Sequence, residues 1–220
     1  VNLGDKFFYD GEIAPEEIFE YADNNKTLPK TNAVNEEAFK EHFAKILNDY
    51  DAIIHFDISS EMSSAYQNAV NASKNFKNVY VVDSRTLSTA ISLEAIYAKK
   101  LTETMDDPAK IVELVKKRIP AVQTSFIIER LDYLYKGGRC SGLALLGANL
   151  LKIRPEIEVL NGNMKNTEKF RGKMADCVTK YCRATLEKYN HPDKSVIFIT
   201  HSVADKELVD AAKAVVSEYG

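Results

Sequence analysis

The sequence predicts a mixed α/β protein: a parallel-sheet α/β N-terminal domain, residues 1–107, followed by a smaller α+β domain, residues 108–220. Three observations predict it. Strand and helix patterns alternate through residues 51–58, 65–76, 79–82 and 87–104, an order that calls for parallel strands joined by crossovers. The second half instead sets two strand patterns on either side of Asn161-Gly162, a hairpin turn, among long helical stretches. Between them, Asp106-Asp107-Pro108 interrupts both patterns.

Each element has its local reason. Phe7, Phe8 and Tyr9 before Asp10-Gly11 read as one short strand and a turn. Pro15-Glu16-Glu17 opens a helix carried by Ile18, Phe19 and Ala22, with proline in its first turn. After the loop Leu28-Pro29-Lys30-Thr31-Asn32, the spacing of Phe39, Phe43, Ile46 and Leu47 predicts a helix over 36–47. The nearly unbroken apolar run at 51–58 is the pattern of a strand covered on both faces. In the second half the patterns give helices at 109–119, 131–135, 143–151, 173–189 and 205–219, and strands at 124–128, 153–160, 165–170 and 195–200.

Composition sets bounds. With 45% apolar and 28% charged residues the chain can bury a core and does not read as disordered. A net charge of −3, with Lys and Arg spread along the chain, argues against a nucleic-acid partner. Cys140, Cys177 and Cys182 form no even, recurring framework of disulfides, and a cytoplasmic location is expected. No apolar run approaches the roughly 20 residues of a membrane span, and no leader opens the sequence, so no stable membrane insertion is expected. His42, His55, His191 and His201 show no ligand spacing, so neither a metal nor another cofactor is expected.

Three places could carry chemistry. Ser59, Ser60, Ser63 and Ser64 follow the 51–58 strand, where free helix N–H groups and hydroxyls together suit an anion. They could equally be one helix cap and a solvated loop. Thr31 and Asn32 sit in a loop before a helix, where Thr31 could donate a hydroxyl to the same anion or simply act as a cap. Lys136-Gly137-Gly138-Arg139-Cys140-Ser141-Gly142 is either a left-handed helix stop or a turn that lets backbone approach a ligand. Arg139 beside Cys140 could lower the thiol pKa. The apolar stretch 143–151 could line a lipid channel or be core, His55 reads as a packed strand residue, and His201 is a weak ligand candidate at a strand end.

Taken together, the motifs resemble one family. Leu28-Pro29-Lys30-Thr31-Asn32 is similar to a Pro-Lys-Thr-Ser loop, and 59–69 is similar to a serine-rich "SSxxSGTYQSA" segment. Residues 79–84 match the strand that follows, 131–139 match "LxYLxxGGR", and 150–155 match "LLxIKP", in the same order and at the same spacing. The chain resembles the DegV fatty-acid-binding proteins of bacteria. That resemblance implies two α/β domains, a buried acyl chain, and a lipid-binding role without catalysis. It implies that Thr31 and Ser63 grip the carboxylate, with Asn32, Ser64 and Arg139 beside the head group. In part of the family the acyl group is presented to a separate fatty-acid kinase. The sequence departs from the pattern at Asn32, Ala33-Val34, Ser64-Ala65, Thr89 and Ile91. The family's opening Asp-Ser strand and C-terminal His-Thr-Gly-Pro-Gly motif find no match, which implies a chain trimmed at both ends. The rival class is a small-molecule enzyme, either a serine hydrolase using Ser63 or a nucleotide-dependent transferase; ester turnover or saturable nucleotide binding would distinguish it. A third reading is an interaction module with a vestigial pocket.

Overall fold

The computed structural model describes residues 1–9, 11–129, 131–141, 153–189 and 191–219; the expected helix at 143–151 lies outside them. The chain opens with a small antiparallel hairpin, β1 (Asn2–Leu3) and β2 (Lys6–Phe7), where one strand was expected. Helix α1 (Pro15–Asn25) starts where the Ala14 N–H donates to the Glu17 carboxylate at 3.2 Å. Helix α2 (Glu36–Ile46) is capped by Asn35, whose side-chain oxygen accepts from the Ala38 N–H at 2.9 Å.

The first half is built on two parallel strands, β3 (Ile53–Asp57) and β4 (Val79–Asp83), in register from Ile53 opposite Val79 to Asp57 opposite Asp83. Helix α3 (Ala65–Ser73) makes the crossover. Side chains alternate across the sheet. Ile53, Val79 and Val81 face a core with Phe39 and Phe43 of α2 and Ala65, Ala69 and Ala72 of α3. The alanines recur at helical spacing, so one narrow stripe of α3 lies close against its neighbours. Ile54, Phe56, Tyr80 and Val82 face the opposite core, against α4 (Thr89–Leu101) and α5 (Pro108–Arg118). Helix α5 therefore packs with the first half, although its residues begin the expected second domain. Asp107-Pro108 reads as a joint in sequence, but its chemistry is that of a helix start: the Asp107 carboxylate accepts from the Ala109 and Lys110 N–H groups. A short 3-10 turn (Ile119–Ala121) ends α5.

The second half holds a four-stranded sheet, order β5-β7-β8-β6: β5 (Ser125–Ile127), β6 (Cys140–Ser141), β7 (Ile153–Leu160) and β8 (Asn163–Arg171). Helix α6 (Asp132–Gly137) precedes β6 and stops at Gly138, which is left-handed (φ +68°). β7 and β8 form the expected hairpin about Asn161-Gly162, both with positive φ, the geometry of a tight two-residue turn. One sheet face faces helix α7 (Met174–Lys188), and there two buried acids are satisfied. Glu156 accepts from the Thr167 hydroxyl at 3.0 Å, and Glu158 accepts from the Lys188 ammonium (2.7 Å) and the Tyr189 hydroxyl (2.6 Å). Helix α8 (Lys206–Glu218) packs on α7.

Residues 195–200 are not a strand. Their composition is that of one, but a strand also needs a hydrogen-bonded neighbour, and among the described residues they have none. Ile197, Phe198 and Ile199 are consequently exposed, and the segment is held instead by Thr89–Thr200 hydroxyls at 2.7 Å and by the Arg118–Asp193 ion pair.

Candidate functional site

The serine loop leaves the carboxyl end of β3, where open parallel sheets bind ligands. Its four serines are not equivalent. Ser59 is fully buried, and its hydroxyl donates to the Gly162 carbonyl at 2.7 Å. Ser60 is held by Asp83, through its N–H at 3.1 Å and its hydroxyl at 2.6 Å. Of the four hydroxyls that could have served an anion, the first two are therefore engaged within the fold. Met62 turns into a third core with Ile157, Met164, Phe126, Leu131, Leu134 and Val159, so the loop is anchored in the second half as well.

Ser63 and Ser64 stand at the start of α3. The Ser63 oxygen accepts from the Ala65 N–H at 3.1 Å, which leaves its hydroxyl proton without an acceptor among the described residues. Ser64 is the exposed N-cap and makes no side-chain capping bond. The first-turn N–H groups of α3 beyond Ala65 lack intrahelical acceptors by geometry, and the helix end carries a partial positive charge. Arg139 comes to the same loop: its Nε donates to the Met62 carbonyl at 3.2 Å and its Nη1 to the Gly137 carbonyl at 2.9 Å. Arg139 is thus joined to the residue just before Ser63. Thr31 and Asn32 are exposed in the loop before α2. That loop is tied to α3 by the Asn68 side-chain amide, which donates to the Val34 carbonyl at 2.7 Å. Among the described residues, no direct hydrogen bond joins Thr31 or Asn32 to Ser63, Ser64 or Arg139, nor does Ser63 pair with a histidine or a carboxylate.

Electrostatics here centre on Asp83. Its carboxylate holds Ser60 and the Arg85 N–H (3.0 Å), and the Arg85 guanidinium lies 3.6 Å away. Burial, and then the Asp83 charge, push the Tyr66 phenol up and push Glu94 up to about 8. Arg139 does not activate Cys140. Burial raises that thiol's pKa instead, because Cys140 packs against the third core while Arg139 turns to backbone carbonyls. His55 is packed as expected, against Phe39 and Phe43, with Asp57 at 3.4 Å, and His201 is exposed. A cavity of about 280 Å³ is lined by Glu156, Glu168, Ala184, Thr185, Glu187 and Lys188. It lies on the sheet face opposite Met62, and its three carboxylates suit no anion.

Sequence reasoning missed Met62, Asp83, Arg85 and Gly162. The Asp-Ser end of β4 was visible, but Met62, Arg85 and Gly162 each meet residues from the other half of the chain, which local spacing does not record.

A comparison with protein families matches residues 1–220 to DegV, described as "Uncharacterised protein, DegV family". The chain belongs to the DegV family. A fatty acid-binding protein of Thermotoga maritima is 34% identical over 208 residues, covering 89% of this chain and 69% of the relative. A DegV lipid binding protein structure from the same organism superposes with a TM-score of 0.66 at 33% identity, covering 80% of this chain and 62% of that one. A DegV protein from Ruminococcus gnavus, solved with vaccenic acid, shares the fold at TM-score 0.79 and 21% identity, covering 99% of this chain and 78% of its own. The chain spans about two thirds of the length of the two Thermotoga relatives. Among the described residues no helix is long and apolar enough to cross a membrane.

Proposed function

We propose that this DegV chain holds a long-chain fatty acid, with the carboxylate at the start of α3 and the acyl chain buried behind it. The observation that carries the reading is the junction of Arg139 with the Met62–Ser63 backbone. It brings a cation to the residue before Ser63, whose hydroxyl proton has no acceptor among the described residues, at the start of α3 and beside an apolar core. The fatty-acid ligands of the relatives point the same way. Thr31 and Ser63 are the proposed carboxylate donors, with Asn32, Ser64 and Arg139 around them. The proposal needs no cofactor.

Magnitudes assign the roles. Each buried methylene contributes about 0.8 kcal/mol, so a sixteen-carbon tail supplies on the order of 10 kcal/mol gross, before ordering costs. A charged hydrogen bond at the head adds roughly 1.5–3 kcal/mol. The tail sets affinity and the head sets orientation. Solvent extraction and mass spectrometry of the purified protein should find a fatty acid. The double variant Thr31→Ala/Ser63→Ala should fold yet retain clearly less of it. Unchanged retention would remove the head-group assignment. The resemblance extends the proposal by one step, to presentation of the acyl group to a separate fatty-acid kinase. Its signature would be acyl-phosphate formed only when kinase and ATP are added together.

A further inference from the structure

The tip of the β7–β8 hairpin reaches the serine loop from the other half of the molecule. Asn161 and Gly162 present their carbonyls to two side chains there. The Ser59 hydroxyl donates to Gly162 at 2.7 Å, and the Arg85 Nη2 donates to Asn161. The same guanidinium extends its Nη1 to the Ser60 hydroxyl (3.3 Å) and the Glu61 carboxylate (3.1 Å). One planar fork therefore clamps the hairpin and the serine loop together, which a lysine could not do. Arg85 itself is left-handed (φ +54°), an uncommon state for a side-chain-bearing residue, and its N–H is held by Asp83 at 3.0 Å. Gly162 fits the clamp for lack of a side chain. A Cβ there would lie 2.6 Å from the Ser59 oxygen and 2.8 Å from the Arg85 guanidinium carbon.

We infer that Arg85 and Gly162 form a latch that presets the serine loop for the ligand carboxylate. They are positioning residues, and the inference rests on the fatty-acid reading above. The path to the head group is short. Gly162 fixes Ser59, and the Ser59 carbonyl accepts from the Met62 N–H (2.9 Å) and the Ser63 N–H (3.2 Å). Arg85 fixes Ser60 and Glu61, the next links of the same loop. A loop ordered before binding spends none of the ligand's interaction energy on its own ordering. Releasing the latch should cost the carboxylate and spare the tail.

The test is displacement of fluorescent cis-parinaric acid from the full chain by palmitic acid and by methyl palmitate. The wild-type chain should prefer the acid by about tenfold or more, because only the acid makes charged hydrogen bonds. Arg85→Met and Gly162→Ala should each lose most of that preference while methyl palmitate binding changes by no more than about twofold to threefold. A folded variant that keeps the wild-type preference overturns the latch, as does equal weakening of acid and ester, the sign of a merely structural role. If Gly162→Ala fails to fold, Arg85→Met decides, since that side chain is about a third exposed. A wild-type chain that binds neither ligand, or does not prefer the acid, ends the parent reading before any variant is compared, and the latch with it.

Discussion

Glu94→Gln is expected to be about as stable as the wild-type protein near pH 5 and markedly more stable at pH 8. Glu94 lies on α4 with 2% of its surface exposed, and neither carboxylate oxygen has a hydrogen-bond partner among the described residues. Burial, reinforced by the Asp83 charge, raises its pKa to about 8. The sign follows from proton counting. Below the ordinary glutamate range both folded and unfolded chains carry the proton, and stability is unaffected. Between that range and about pH 8 the unfolded chain ionises while the folded chain keeps its proton. Stability therefore falls as pH rises, by about 1.4 kcal/mol per unit at most, and levels off once the folded group also ionises. Glutamine keeps the shape and an equally unpaired polar end but cannot ionise, so its advantage should grow to a few kcal/mol across that window. Urea denaturation of both proteins at pH 5, 6.5 and 8 reads the difference directly. A constant difference over the three would mean that the carboxyl is not held away from water.

What could be read from the sequence divides along physical lines. The spacing of Phe39, Phe43 and Ile46 placed α2 to within a residue, because helical periodicity is written locally. The 51–58 and 79–82 runs placed the parallel pair, and Asn161-Gly162 placed the hairpin turn, for the same reason. Residues 195–200 have the residue types of a strand, but whether strand-like backbone becomes sheet depends on a distant neighbour that local composition does not record. The serine loop shows the limit most clearly. In sequence, Ser59 and Ser63 are interchangeable donors on one loop. In the structure, a carbonyl 103 residues away buries the first and leaves the second half-buried at the helix start. Met62 reads as a spacer among serines and proves to be the loop's anchor in a core drawn mostly from the second half. The family's motifs pointed to Thr31, Ser63 and Arg139. What fixes the position of the serine loop, Arg85 with Asp83 and Gly162, showed in the sequence only as a strand end and a hairpin turn, with nothing local to say that the two meet.

Phe43→Ala should be the most damaging single truncation in the first half, costing about 3–5 kcal/mol. The ring is fully buried. It lies 5.3 Å from the His55 ring, 5.8 Å from Phe39 and 6.2 Å from Phe76, so α2, β3 and the end of the α3 segment all meet on it. Removing it loses the transfer energy of a phenyl group and leaves a cavity that three rings held by different elements cannot close together. Phe43→Leu keeps most of the volume and should cost less than half as much. Ala69 and Ala72, both without exposed surface, leave α3 no long side chain on that stripe to swing into the gap. Guanidinium denaturation of the three proteins provides the measurement. A Phe43→Ala loss below about 1 kcal/mol would mean that α2 repacks freely, and the core on that side of the sheet would then not be the rigid support on which the serine loop is mounted.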